Sequence, residues 1–328
     1  MKPLVVATRE LPEPSLSTLS PDFDVRVLGY APSELELAAE VSEALALITL
    51  VSDSVTERVL AAAPLLKIVA NYGVGVDHID RAAAAARGII VTNTPGVLTE
   101  ATADLTLALL LALTRRIIEG DRMVRAGRFA GWAPDLLLGT ELKGKVLGIL
   151  GPGRIGRAVA RRARAFGMTV LATGRSPRDE GDPDDPPRVS FEDLLRRADV
   201  ISVHAPLNAE TRHLFDRATL SRMKPGSYLI NTSRGPIVDE SALAEAVASG
   251  HLAGAGLDVY ENEPGITPSL LDEDRIVLMP HAGSATVETR REMARMAVED
   301  VRRVLTGEKP LRAVPPEGTA RERSREGA

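Results

Sequence analysis

The segment Gly151-Pro-Gly-Arg-Ile-Gly156, directly after the apolar run Lys145-Val-Leu-Gly-Ile-Leu150, constrains this chain more than any other. A buried strand that turns through glycines into a helix leaves backbone N–H groups free at the helix N-terminus. Such groups hold the pyrophosphate of a dinucleotide without a charged side chain. The flanking pattern supplies the context the motif needs, because 154–166 reads as a helix and 168–173 as a second strand. Pro152 removes one donor but leaves all the motif glycines in place. The competing reading is a glycine-rich turn in an unrelated α/β protein.

The end of that second strand bears on the choice of dinucleotide. A carboxylate there would bind the ribose 2′-hydroxyl, whereas an arginine accommodates a 2′-phosphate. The chain has Thr173-Gly174-Arg175-Ser176-Pro177-Arg178, with no carboxylate. Arg175 offers a planar fork, Ser176 a hydroxyl and Arg178 a second cation, which points to NADPH, with NADH as the alternative. The competing reading is a solvated loop whose arginines are offset by the acidic run Asp179-Glu180-Gly181-Asp182.

Strand-like runs alternate with helical patterns from the start, at 4–8, 25–28, 46–50, 67–70 and 89–92, with helix candidates at 33–41, 55–63 and 79–86. This alternation predicts a parallel sheet with helices on both faces. The fingerprint strand follows these five, so the first block reads as a separate α/β domain. A strongly apolar helix is expected over 101–118, stopping at Arg115-Arg116 and Gly120. Strands recur at 200–203, 228–231, 254–258 and 276–279, and a last helix at 286–305. The tail 315–328 is polar without apolar period, and disorder is expected there.

With 328 residues the chain is long enough for two cored domains. A formal charge of −5 argues against a nucleic-acid partner, which needs a basic face. Cysteine is absent, which excludes disulfides, thiolate metal sites and cysteine nucleophiles. No histidine spacing suggests a metal site. The start reads as a strand rather than a signal peptide, and the apolar run 107–113 is too short to span a bilayer, so a cytoplasmic protein with no membrane partner is expected.

Three segments place polar residues at strand ends, where open α/β sheets bind ligands. They are Asn231-Thr-Ser-Arg234-Gly235, Gly256-Leu-Asp258-Val-Tyr260-Glu-Asn-Glu263 and Pro280-His281-Ala-Gly283-Ser-Ala-Thr286. Hydride delivery to a carbonyl requires a proton for its oxygen, and an imidazole beside a carboxylate suits that task. His281 and Glu263 would form this pair, with Arg234 clamping a substrate carboxylate and polarising the carbonyl. Together they specify reduction of a 2-oxo acid to the 2-hydroxy acid. Singly, each has a plainer explanation: Arg234 in a surface ion pair, His281 beside a helix cap, Glu263 in a solvated turn. Among the other histidines, His204 lines the cofactor cleft in this reading, His78 stabilises a turn, and His213 and His251 lie on the surface.

These motifs, with Asn71-Tyr-Gly-Val-Gly-Val-Asp77 and His204-Ala-Pro-Leu207, resemble the D-isomer-specific 2-hydroxyacid dehydrogenase family and within it the glyoxylate/hydroxypyruvate reductases. The resemblance implies two doubly wound parallel-sheet domains, a Rossmann cofactor domain (100–284) inserted in a flavodoxin-like substrate-binding domain (1–99 and 285–328). It implies catalytic roles for Arg234, Glu263 and His281. Cofactor contacts would come from Thr102, Gly151, Gly153, Arg154, Ile155, Gly156, Arg175, Ser176, Pro206, Thr232, Asp258 and Gly283. Val74 and Gly75 would bind the substrate carboxylate through backbone N–H groups, since glycine lets backbone approach an anion closely. It further implies a homodimer in which Trp132 reaches the partner subunit's substrate pocket; a core or interface tryptophan is the alternative. The expected activity is NADPH-preferring reduction of glyoxylate or hydroxypyruvate with His281 as proton donor. A bulkier oxo acid, or an NAD(H)-sensing corepressor that binds proteins, are the rivals.

Overall fold

The computed structural model describes residues 2–175 and 179–317. Ser176 and Arg178, expected at a 2′-phosphate, lie outside the described residues, as does the tail beyond residue 317. The chain divides into two compact units, one running to Leu98 and resuming at Ser284, the other Thr99–Gly283. Each is a doubly wound parallel sheet.

In the first unit, β1 (Leu4–Ala7), β2 (Asp24–Val27), β3 (Ala46–Leu50), β4 (Ile68–Tyr72) and β5 (Ile90–Thr92) form a sheet in the order β2-β1-β3-β4-β5. Every pairing is parallel. Central strands β3 and β4 are almost wholly buried, which is why they read as continuous apolar runs rather than alternating ones. The helix Val287–Leu305 belongs to this unit and lays Met293, Ala294, Ala297 and Val301 onto the face carrying Val5, Ile48 and Ile68. These positions recur at helical spacing, one stripe of an amphipathic helix. Tyr72 Oη donates to Arg290 O at 2.9 Å, tying that helix to the end of β4.

The chain beyond this helix runs antiparallel beside β5, where Ala313 bridges Thr92 and Val314 N donates to Val91 O at 2.8 Å. Asp300, fully buried, accepts from Leu311 N at 2.7 Å and lies 3.1 Å from Arg312 Nη1. Arg312 also meets Glu299 at 2.6 Å.

In the second unit, β6 (Val146–Leu150), β7 (Thr169–Thr173), β8 (Val200–Val203), β9 (Ser227–Asn231), β10 (Leu252–Leu257) and β11 (Ile276–Leu278) form a parallel sheet in the order β11-β10-β9-β8-β6-β7. Strand order reverses between β6 and β8. At such a reversal the crossover helices leave to opposite faces and open a crevice at the strands' carboxyl ends. The fingerprint glycines follow β6 and His204-Ala205 follow β8, at this reversal.

One expectation is corrected. The apolar stretch is two helices, Thr99–Thr114 and Ile117–Arg125, and Gly120 lies inside the second rather than stopping the first. Arg116 between them is left-handed at φ 52°, ψ 42°. The cause is tertiary: Thr140 N takes the carbonyl of Thr114 at 2.7 Å, and Gly139 passes so close that a Cβ there would sit 2.1 Å from that oxygen. The first helix buries Leu107, Leu109, Leu110 and Leu113, whereas the second buries nothing.

Replacing Arg312 with Met keeps its packing volume but strands the Asp300 carboxylate. Losing one partner of a buried pair costs about 3 kcal/mol, so Arg312→Met is expected to lower the urea midpoint clearly. An unchanged midpoint would show that the pair does not hold the C-terminal segment.

Candidate active site

His281 lies in the turn after β11, and Glu263 in the loop after β10. Their side chains meet, with His281 Nδ1 and Glu263 Oε2 at 2.8 Å. His281 is held at φ 53°, a left-handed conformation that costs a β-carbon-bearing residue energy and persists only where its surroundings enforce it. Those surroundings are specific. Asp258, buried at the end of β10, accepts from Ala282 N at 2.6 Å and Gly283 N at 2.8 Å. Tyr260 Oη donates to Met279 O at 2.8 Å, and Tyr260 N donates to Glu263 Oε1 at 3.0 Å. One tyrosine thus braces both partners, and burial pushes its phenol up to about 12, so it stays a donor.

Two carboxylates near this imidazole are driven in opposite directions. Burial raises the pKa of Asp258 despite its two amide hydrogen bonds. Burial acts on Glu263 too, but the His281 hydrogen bond and charge, the Tyr260 N–H and the Arg234 charge outweigh it, and its pKa falls. Glu263 is therefore the ionised partner of the histidine.

Arg234 follows β9 and is partly buried. Its loop is shaped by Asn231, whose Nδ2 donates to Arg234 O at 2.9 Å while Oδ1 accepts from Ser233 N at 3.0 Å. Gly235 then packs against the Glu263 loop so tightly that a Cβ would lie 1.9 Å from Tyr260 C. Glu240, also buried, closes the contact by accepting from Glu261 N at 2.6 Å and receiving the Thr267 hydroxyl. Arg234, Glu263 and His281 are thus held by adjoining strand-end loops of one unit.

The fingerprint fits a dinucleotide. Gly151, at φ 86°, would place a Cβ 2.7 Å from Ala205 N, and Gly156 would place one 2.6 Å from Gly151 O, so both must be glycine. Gly153 caps the helix Arg154–Ala165 with open space before it, and no side chain caps that helix. Its first-turn N–H groups, on Arg154, Ile155 and Gly156, are therefore left to a ligand. Arg175 is well exposed after β7, with Glu210 at 3.7 Å. Of the acidic run, Asp182 lies 3.5 Å from Arg157; just beyond it Asp184 pairs with Arg161 at 2.9 Å and Asp185 with Arg188 at 2.6 Å.

The remaining expected residues are placed as follows. Thr102 is buried and donates to Gly283 O at 3.2 Å, and Thr232 shares a 3.0 Å hydrogen bond with Thr106. Pro206 is exposed after β8. His204 Nε2 lies 2.8 Å from Ser202 Oγ, and burial pushes its pKa down to about 3, so it stays neutral. Trp132 is 83% exposed, which rules out a core position within the chain. Val74 and Gly75 lie in the first unit, in the loop after β4. Tyr260 and Glu240 carry no role in the sequence reading. Tyr260 stands two residues after Asp258 at a strand end, a signal too common to single it out.

The NAD binding domain model of the D-isomer specific 2-hydroxyacid dehydrogenases matches residues 107–283. The glyoxylate reductase of Thermococcus litoralis is 46% identical over 317 residues, 94% of this chain and 96% of its own. Among solved structures, the TT0316 protein of Thermus thermophilus matches with a TM-score of 0.90 and 48% identity, covering 95% of this chain and 100% of that one. The NADPH-dependent glyoxylate/hydroxypyruvate reductase of Sinorhizobium meliloti, in complex with NADP and malonate, matches with a TM-score of 0.87 and 34% identity over 96% of this chain and 98% of its own. The chain belongs to the D-isomer specific 2-hydroxyacid dehydrogenase family. It is an NAD(P)-dependent dehydrogenase.

The lowered pKa of Glu263 sets a pH dependence of stability. A depressed carboxylate contributes stability that is present above its unfolded pKa and lost as pH falls through its folded one. The stability difference between wild type and Glu263→Gln should therefore shrink as pH falls from about 5 to 3. A difference constant over that range, in urea titrations at each pH, would contradict the ion pair.

Proposed function

We propose that this enzyme reduces small 2-oxo acids, with glyoxylate and hydroxypyruvate as leading substrates, to the 2-hydroxy acids, and prefers NADPH. The observation that carries the reading is the His281–Glu263 hydrogen bond at 2.8 Å, braced beside Arg234 at the sheet's carboxyl edge. Because Nδ1 faces the carboxylate, Nε2 is the nitrogen left to carry a transferable proton. The glycine loop and the first turn of the helix Arg154–Ala165 would hold the pyrophosphate of the dinucleotide, which when bound would supply the hydride for the carbonyl carbon. His281 Nε2 gives its proton to the carbonyl oxygen as the π electrons move onto that oxygen. The neutral ring stays bonded to Glu263, whose charge has stabilised the imidazolium until then. Arg234 pairs with the substrate carboxylate and polarises the carbonyl, and the Val74 and Gly75 amides offer donors suited to a carboxylate.

The relatives named above as glyoxylate reductases, and a small dicarboxylate held by the Sinorhizobium meliloti enzyme, support a small substrate. NADPH preference is supported by the exposed Arg175 guanidinium after β7 and by the engagement of Asp182, Asp184 and Asp185 with Arg157, Arg161 and Arg188. We further propose a cytoplasmic homodimer. Ile117, Val124, Phe129, Trp132 and Leu138 are all exposed along the helix Ile117–Arg125 and the loop after it, an apolar surface a second copy would cover. Among the described residues no helix is long and apolar enough to cross a membrane.

His281→Ala is expected to lose about 10²–10⁴-fold in kcat while NADPH binding by fluorescence titration is retained; wild-type turnover would remove His281 from the proton-donor role. Arg175→Ala should raise KM for NADPH roughly tenfold or more and leave NADH almost untouched. Equal losses with both cofactors would reject a 2′-phosphate contact.

A further inference from the structure

We infer that Asn71 and Asn93 are positioning residues for the substrate carboxylate: their side-chain amides hold the carbonyls of Gly73, Val74 and Gly75 and so aim three successive backbone N–H groups at an anion. The inference rests on the carboxylate role proposed for Val74 and Gly75. Asn71, buried at the end of β4, donates from Nδ2 to Gly73 O at 3.1 Å and to Gly75 O at 2.8 Å. Asn93, just past β5, donates from Nδ2 to Val74 O at 2.7 Å. Thr94 N adds a second donor to Gly73 O at 3.0 Å. Every carbonyl of the loop is held by these neighbours.

A trans peptide carries its C=O and the following N–H in opposite directions. Fixing the oxygens of residues 73, 74 and 75 therefore fixes the N–H groups of Val74, Gly75 and Val76 pointing away from the asparagines. Among the described residues none of these three N–H groups finds an acceptor. Consecutive unmet N–H groups form a concavity that suits a carboxylate. Gly73 fits tightly in the loop, since a Cβ there would lie 2.6 Å from Val51 Cγ1.

A second observation separates this arrangement from ordinary loop bonding. Asn71 Oδ1 is buried with no partner among the described residues, an arrangement that costs free energy. The orientation is dictated by its neighbours, because only the nitrogen can face two carbonyl oxygens. Aspartate at this position would present oxygen to both. A buried amide kept with one end unmet is being used for the donors at its other end.

The test compares glyoxylate with its uncharged methyl ester, using NADPH, in wild type, Asn71→Asp and Asn93→Ala. Both variants should raise KM for glyoxylate at least about tenfold with kcat changed by no more than about threefold. The ester, which has no carboxylate, should be reduced with unchanged kcat/KM, so the acid-to-ester ratio falls about tenfold or more. A general structural defect would lower both substrates together and overturn the inference, as would variants that keep the wild-type ratio. If Asn71→Asp fails to fold, Asn93→Ala, acting on Val74 O alone, decides the question by the same ratio. A wild type with no preference for acid over ester would overturn the carboxylate site itself, an outcome distinct from failure of the asparagines alone.

Discussion

A parallel strand that leaves its sheet while still buried must find partners for backbone groups its ladder no longer serves. That constraint organises this molecule more than any single contact. Short polar side chains placed at the strand ends meet it. After β3, Asp53 accepts from Leu50 N at 2.7 Å and from the Thr8 hydroxyl at 2.6 Å. At the end of β4, Asn71 spans two carbonyls; at the end of β9, Asn231 turns the chain toward Arg234; after β10, Asp258 collects two amides of the His281 turn. Each lies at the carboxyl edge of its sheet, so groups that finish the fold also define where ligand-facing groups can stand.

The electrostatics follow from the same placement. Asp258 and Glu263 both lie close to one imidazole; burial prevails at the first, whereas at the second burial is outweighed by the combined pull of His281, the Tyr260 N–H and Arg234. Pairs of carboxylates pushed apart in this way take different tasks. Asp258 has both oxygens committed to backbone, and its task is geometric. Glu263 has one oxygen on Tyr260 N and the other on His281, and in the proposed mechanism it supplies charge. The left-handed backbone of His281 is the strain this bracing sustains.

Much of this was legible in the amino-acid order. Strands buried on both faces read as unbroken apolar runs, and the fingerprint marked the turn from β6 into the helix Arg154–Ala165. The polar strand ends pointed to Arg234, Glu263 and His281 because three such ends follow one fingerprint. Illegible were features set by distant backbone. The break at Arg116 depends on Gly139 and Thr140 reaching Thr114 O, and nothing within 101–118 announces it. The short helices Phe191–Arg197 and Arg217–Arg222 carry too few apolar positions to show a period. The part of Asn71 was hidden for a related reason, since an asparagine before a glycine turn reads only as turn chemistry until the carbonyls it reaches are known.

The proposed cofactor preference also has a steric side that composition alone does not reveal. A Cβ on Gly174 would sit 2.7 Å from Pro152 Cδ, so the proline in the fingerprint calls for a glycine just after β7. A carboxylate-bearing residue at position 174 is thereby shut out by packing, before any question of charge. Nearby acidic residues are drawn onto the arginines of the helix Arg154–Ala165, where Asp184 meets both Arg161 and Arg164. Each exposed pair adds at most about 1 kcal/mol, and together they tie the segment after β7 to that helix. Under the proposed preference for NADPH, Arg175 would exchange its exposed contact with Glu210, 3.7 Å away, for the 2′-phosphate, an exchange that costs little because an exposed ion pair is weak.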